Sequence, residues 1–217
     1  MTREPVLVEA CVTSTEEAIG CFDVGAGRVE LCRALDVGGL TPKTEEVTAT
    51  LSAAPGPTNV LARPRADTFQ LDPEERRDLL EKVASLAALG ADGVVVGVLD
   101  DARRADRAAM EELVSATGEV PVTFHRAFDR VDAPLRGVEA LVEAGVSRVL
   151  TSGGAATAWE GRGTLRELVE RSGEDLTVIG GGRVRSDHVR PLVEETGLRE
   201  VHARASAVPE IVETIRP

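Results

Sequence analysis

DPEERRDLLEKVASLAALGADGVVVGV, residues 72–98, holds one complete copy of the pattern that decides the fold. Asp72 followed by Pro73 offers an N-cap and then a proline at the first helical position, where a missing N–H costs nothing. Leu79, Leu80, Val83, Leu86 and Ala87 trace one face of a helix. Gly90 ends it, because glycine adopts the left-handed conformation that terminates helices. A short apolar strand, Gly93–Val98, follows.

The same order of strand, polar loop, amphipathic helix and glycine runs along the whole chain. Helix-ending punctuation falls at Gly25, Pro55-Gly56-Pro57, Gly90, Gly118, Gly145, Gly173 and Gly197. The predicted strands are Val6–Val12, Arg28–Cys32, Thr58–Arg63, Gly93–Val98, Val120–His125, Arg148–Thr151, Leu176–Ile179 and Glu200–Ala203. Ser14 with Glu17, and Thr164 with Glu167, have the spacing of capping boxes, and Thr41-Pro42 reads like Asp72-Pro73. Strand alternating with helix implies a parallel sheet covered by helices. Eight such units in 217 residues, without a break in composition, predict a single (β/α)8 TIM barrel domain over 1–217 rather than an open doubly wound sheet.

Composition narrows the function. A net charge of −12 and a pI near 4.8 argue against nucleic acid, which needs a basic surface. There is no polybasic segment, no apolar run near the roughly 18 residues of a membrane span, and no signal-peptide core in MTREPVLVEACV. A cytoplasmic protein with no membrane partner is expected. Cys11, Cys21 and Cys32 are an odd number, expected to remain thiols in a reducing cytosol, and no CxxC pair suggests a structural zinc. Tyrosine is absent and aromatics make up 2% of the chain, so a large stacking site for bases or sugars is not expected.

Active sites of such barrels form at the C-terminal ends of the strands. There the chain places Glu9 and Cys11, Glu30 and Cys32, Arg63 and Arg65, His125 with Arg126, Thr151-Ser152, and His202. In Glu9-Ala10-Cys11 and Glu30-Leu31-Cys32, residues two apart share a strand face, so each tripeptide sets a carboxylate and a thiol together. Burying such groups is costly without a compensating partner. Neighbouring strands lie roughly 4.8 Å apart, so Cys11 and Cys32 can share one metal. Two soft thiolates favour Cu(I) over Mg or Ca; the alternative is a pair of small buried hydrophobes. Cys21, inside the first helix, reads as packing.

Glu9 and Glu30 would have raised pKa values unless Arg63 and Arg65 answer them. The result is either an acid/base constellation or an ion-pair network plugging the barrel. In PVTFHRAFD, residues 121–129, Thr123 and His125 share a face. His125 is then a general acid/base, a metal ligand or a hydrogen-bonded core histidine, and Asp129 caps the following loop or orients His125 or Arg126. Gly180-Gly181-Gly182 after the seventh strand, and Ser152 with Gly153 after the sixth, could turn backbone N–H groups toward an anion, or merely permit tight turns.

With these residues laid out, the sequence resembles the CutC family, often called copper homeostasis proteins. The resemblance runs through Glu9-Ala10-Cys11-Val12, residues 27–32 (GRVELC), 38–42 (GGLTP), Arg63-Pro64-Arg65, 89–93 (LGADG), 121–129, 148–153 (RVLTSG) and Gly180-Gly181-Gly182. It implies a (β/α)8 barrel, a cytoplasmic location and a role in copper handling, with Cys11 and Cys32 as the Cu(I) ligands. Three departures stand out. Ala66-Asp67-Thr68 replaces the family's Gly-Gly-Asp, and His202-Ala203-Arg204-Ala205-Ser206 replaces His-x-Ser-Ala-Arg. The chain also stops at Pro217, short of a C-terminal loop that many members carry, which implies a less covered mouth.

Two functions follow. One is Cu(I) binding by Cys11 and Cys32 for copper storage, delivery or tolerance. The other is an enzyme acting on a small anionic or phosphorylated metabolite. There Glu9, Glu30 and His125 would move protons, while Arg63, Arg65 and the Gly180–Gly182 loop would hold the anion. A barrel mouth serving only as an interaction surface is a third possibility, and a homodimer or larger homo-oligomer is expected of barrels of this kind.

Overall fold

Residues 5–216 are described by a computed structural model. Strands and helices alternate as β1 (Leu7–Val12), α1 (Thr15–Asp23), β2 (Arg28–Leu31), α2 (Thr44–Ala53), β3 (Thr58–Leu61) and α3 (Pro73–Ala88). The order continues with β4 (Gly93–Val96), α4 (Arg107–Thr117), β5 (Val122–Phe124), α5 (Pro134–Glu143), β6 (Arg148–Thr151) and α6 (Arg162–Ser172). It closes with β7 (Thr177–Gly181), α7 (Ser186–Thr196), β8 (Glu200–Arg204) and α8 (Val208–Ile215). Each strand pairs in parallel with the next, and β8 returns to β1, so the sheet is a closed (β/α)8 barrel.

Strand alternation divides the interior in two. Val8, Ala10, Val12, Val29, Leu31, Val94 and Phe124 face outward and join the buried sides of the helices, such as Leu79, Val83 and Leu113, in one large cluster. The opposite faces point into the barrel. Cys11, Cys32, Leu61 and Val95 form a small separate cluster there, while Glu9, Arg28, Glu30, Asn59 and Thr123 are buried polar groups. A barrel is usually filled with branched apolar side chains. This one has a charged interior, and that sets its chemistry.

Of the four helix starts marked in the sequence, two hold and two do not. Asp72 accepts from the N–H groups of Glu74 and Glu75 at 2.9 Å, and Glu75 returns a bond to the Asp72 N–H at 3.0 Å. Ser14 caps α1 by accepting from the Glu17 N–H at 3.2 Å. Thr41, however, does not cap α2. It is tied to the end of β3, where its hydroxyl accepts from the Arg63 N–H at 2.8 Å, and α2 starts only at Thr44. Thr164 lies within α6, whose N-cap is Gly161. The loop after β6 folds back so closely that a Cβ on Gly161 would collide with the Ser152 carbonyl oxygen. Gly180 and Gly181 belong to β7, leaving only Gly182 in the loop. No helix among the described residues is long and apolar enough to cross a membrane.

Candidate functional site

The C-terminal mouth of the barrel opens into a cavity of about 510 Å³. Its walls include Cys11, Glu30, Cys32, Arg63, His125 and His202, near or just beyond strand ends except for His202, which lies midway along β8.

Beneath the cavity sits a buried ion cluster. Glu9 accepts from Arg28 Nε and from Asn59 Nδ2, the latter at 3.2 Å, and its other oxygen bonds His202 Nδ1 at 2.8 Å. Arg28 also reaches Glu200, whose second oxygen lies 3.7 Å from Arg148 Nε. Glu9 is therefore answered by Arg28 and His202, and neither glutamate is answered by Arg63 or Arg65 as the sequence reading expects. Arg28 was open to the same period-two argument, since it stands two residues before Glu30 on the same strand face.

The two glutamates differ in character. Burial alone would raise Glu9, but the His202 hydrogen bond and the Arg28 charge overcome it and hold its pKa at about 2. For Glu30 burial prevails: it lifts the pKa to about 7, against the pull of His202 and with a push from the Glu9 charge. Glu30 Oε2 is 3.8 Å from His202 Nδ1, beyond hydrogen-bond range, and has no hydrogen-bond partner. Burial also works against a charged His202, yet the Glu9 hydrogen bond and the charges of Glu30 and Glu9 raise its pKa above 6.5. Glu9, Glu30 and His202 offer ligand atoms within 4.8 Å of one another, the arrangement a metal ion could use, but Glu9 and His202 already engage each other.

The thiols meet as the strand pairing requires. Cys11 sits beside Glu30 in the β1–β2 register, and its Sγ lies 3.6 Å from that of Cys32. Both are buried and free, and Cys32 Sγ is also 3.6 Å from the Val12 carbonyl oxygen. The hydrogen bond to Cys32, burial and the Glu30 charge push the Cys11 thiol well above its usual 9.0. Cys21 packs in the outer apolar cluster, as expected.

His125 is buried, and burial followed by the Arg63 charge lowers its pKa to about 3. Its Nδ1 accepts from the Ala127 N–H at 3.2 Å, so the neutral ring carries its proton on Nε2. The ring meets Phe69 edge-on at 5.2 Å. A Cβ at Gly97 would lie 2.7 Å from His125 Nδ1, which explains a glycine there.

Arg63 works largely as a clasp. It donates to the carbonyls of Gly38 and Gly39 at 3.1 Å and of Ala66 at 2.8 Å, and stacks 4.8 Å over Phe69, while its buried Nε has no partner. Arg65 does not line the cavity. It is engaged outside by Asp67, at 2.8 Å, and by Glu75. Ser152 and Gly153 are also occupied: the Ser152 N–H donates to Asp129 at 2.8 Å and the Gly153 N–H to Thr151 Oγ1 at 2.9 Å. The anion this loop holds is the chain's own Asp129, which also pairs with Arg126 at 2.8 Å. A Cβ at Gly180 would strike Leu198 and one at Gly181 would strike Leu150, so both are glycine for packing. Of the three, Gly182 reaches the cavity. Arg183, Arg185 and Arg204 line it as well. The first two were missed in the sequence, although they directly follow the glycine run.

A sequence model described as the CutC family matches residues 6–207. A CutC family protein of Mesorhizobium japonicum is 39% identical over 215 residues, covering 99% of this chain and 82% of that relative. Another, from Xanthomonas campestris pv. campestris, is 40% identical over 198 residues, with 91% and 82% covered. The crystal structure of a CutC protein from Streptococcus agalactiae superposes with a TM-score of 0.86 at 28% identity, covering 92% of this chain and 98% of that one.

Proposed function

Taking as premise that the chain belongs to the CutC family, we propose that its barrel mouth binds Cu(I) through the thiols of Cys11 and Cys32. The observation that carries this reading is the pair of buried sulfurs 3.6 Å apart, contributed by adjacent strands to one cavity wall. Two soft donors among Leu61 and Val95 suit a soft ion and offer little to magnesium or calcium, which need several oxygens. The name of the Streptococcus agalactiae relative assigns that protein, provisionally, to copper homeostasis. Copper in this reading is cargo, and the thiols give up protons as it enters, so affinity rises with pH.

Competition against a Cu(I) chelator tests the assignment. The double variant Cys11→Ser/Cys32→Ser should lose affinity by more than about 100-fold, while Cys21→Ser stays at the wild-type level. Undiminished affinity in the double variant would end the copper reading.

One observation favours a second reading, an enzyme that moves a proton on a small anionic metabolite. Glu30 Oε2 is buried in the cavity wall without a hydrogen-bond partner, and a neutral His125 lines the same cavity. A carboxylate there can accept a proton from carbon, and the Nε2–H of a neutral imidazole can donate to the oxygen where charge develops. Hydrogen–deuterium exchange at carbon, followed by NMR across short-chain keto-acids and keto-phosphates, should occur with wild type and vanish in Glu30→Gln. Exchange with none of them would remove this reading.

A further inference from the structure

We infer that the outer part of the cavity is a phosphate site, formed by the guanidinium groups of Arg183, Arg185 and Arg204, for the phosphate monoester of a small metabolite. This goes beyond copper at the thiols and requires no proton transfer by Glu30.

The chain carries 37 acidic residues against 25 basic ones, and several of its exposed arginines are answered by them. Arg65 pairs with Asp67, Arg103 with Asp132, Arg104 with Asp100, Arg162 with Glu195 and Arg171 with Glu139. Among the described residues, Arg183, Arg185 and Arg204 make no ion pair, yet all three line the same cavity. Arg185 gives one hydrogen bond to its neighbour's carbonyl, Val184 O, at 2.7 Å, and Arg204 a long one to Leu35 O at 3.4 Å. Most of their donors remain open. Asp187, close to Arg185 in sequence, is taken up by His188 at 2.6 Å, and Asp129 by Arg126. Three like charges in one concavity repel one another unless an anion enters, and the cavity walls focus their field on it.

The chain delivers these groups from its last two strand-to-helix loops. Arg183 follows Gly182, and both are left-handed, with φ of +55° and +105°. Arg185 is the N-cap of α7, and Arg204 ends β8. This is the side of a (β/α)8 barrel at which phosphate is commonly held.

Charge and shape select the ligand. A phosphate monoester carries about −1.5 to −2 charges at neutral pH on three acceptor oxygens of one group, a match for three forks, whereas a carboxylate group offers two coplanar oxygens. The ligand must also be small, since the cavity is about 510 Å³ and the Glu9–Arg28–Glu200 cluster closes it below. A nucleotide is disfavoured, because Phe69 lines the cavity with its face already covered by Arg63 at 4.8 Å, and the chain has no tyrosine.

Calorimetric titration of the full chain with glycerol 3-phosphate at low ionic strength tests the site, with glycerol and malonate as controls. Wild type should bind glycerol 3-phosphate and not glycerol, with malonate about tenfold weaker or worse. Arg183→Ala/Arg204→Ala should weaken binding by about 100-fold at an unchanged melting temperature, since each charged hydrogen bond lost costs about tenfold. Arg65→Ala should bind as wild type does, and so should Cys11→Ser/Cys32→Ser, which separates this site from the copper proposal. The inference is overturned by no binding at millimolar concentrations, by undiminished binding in the double arginine variant, or by malonate binding as tightly as the phosphate ester.

Discussion

Glu9 and Glu30 are the same amino acid in the same barrel, and their surroundings give them opposite pH responses. Glu30 is raised from 4.5 to about 7, so its contribution to stability is complete below pH 4.5 and is lost as pH rises through about 7. Glu9 is lowered from 4.5 to about 2, so its contribution is complete above pH 4.5 and disappears only as pH falls through about 2. Between about pH 5 and pH 8 the wild type should lose roughly 2 kcal/mol relative to Glu30→Gln, measured by urea unfolding. A difference that does not change with pH would contradict the environment assigned to Glu30. At this scale the sequence was legible wherever one strand's alternation decided the matter, as for Cys11, Glu30 and Cys32. It was not legible where a distant residue competed. The Ser152 N–H looks free until Asp129, which is 23 positions away, is seen to occupy it.

Among the elements, the caps and close approaches carry the testable energetics. Asp72→Ala removes the carboxylate that accepts from the Glu74 and Glu75 N–H groups, leaves the residue-72 N–H bonded to Glu75, and should cost about 1 kcal/mol, lowering the melting temperature by about 2–4 °C. Two glycines at the start of α6 should behave in opposite ways. A Cβ at Gly161 meets the Ser152 backbone oxygen, which cannot move cheaply, so Gly161→Ala should destabilise by about 1–3 kcal/mol. Gly163 has open space around its Cβ position within the same helix, so Gly163→Ala should stabilise by roughly 0.5–1 kcal/mol. Thermal melts of the two variants check both signs. Element order and type were readable from the recurring helix–glycine–strand pattern, but strand ends were not. The strand pattern runs on through Val98 and His125 in the sequence, whereas β4 ends at Val96 and β5 at Phe124.

For the molecule as a whole, the unusual feature is a barrel whose closure runs through charge. Arg28 on β2 links Glu9 on β1 to Glu200 on β8, so the strands that complete the ring share one buried ion cluster. Removing its centre leaves Glu9 with His202 and Asn59 alone and Glu200 with only Arg148, at 3.7 Å. Arg28→Met should therefore cost about 3–5 kcal/mol, a fall in melting temperature on the order of 10 °C by scanning calorimetry. A loss no larger than that of a surface substitution would show the cluster to be dispensable. The closed barrel itself followed from counting units, and strand alternation sets Arg28 on the face of Glu30, whereas Arg148 and Glu200 look like ordinary strand-edge charges until β8 closes against β1.

Above that floor lie two adjacent thiols, proposed as the site of a soft ion. X-ray absorption at the copper edge, on protein loaded with one equivalent of Cu(I), addresses this most directly. A shell dominated by sulfur that collapses in Cys11→Ser/Cys32→Ser is the predicted result; a shell of nitrogen and oxygen alone in the wild type would contradict it.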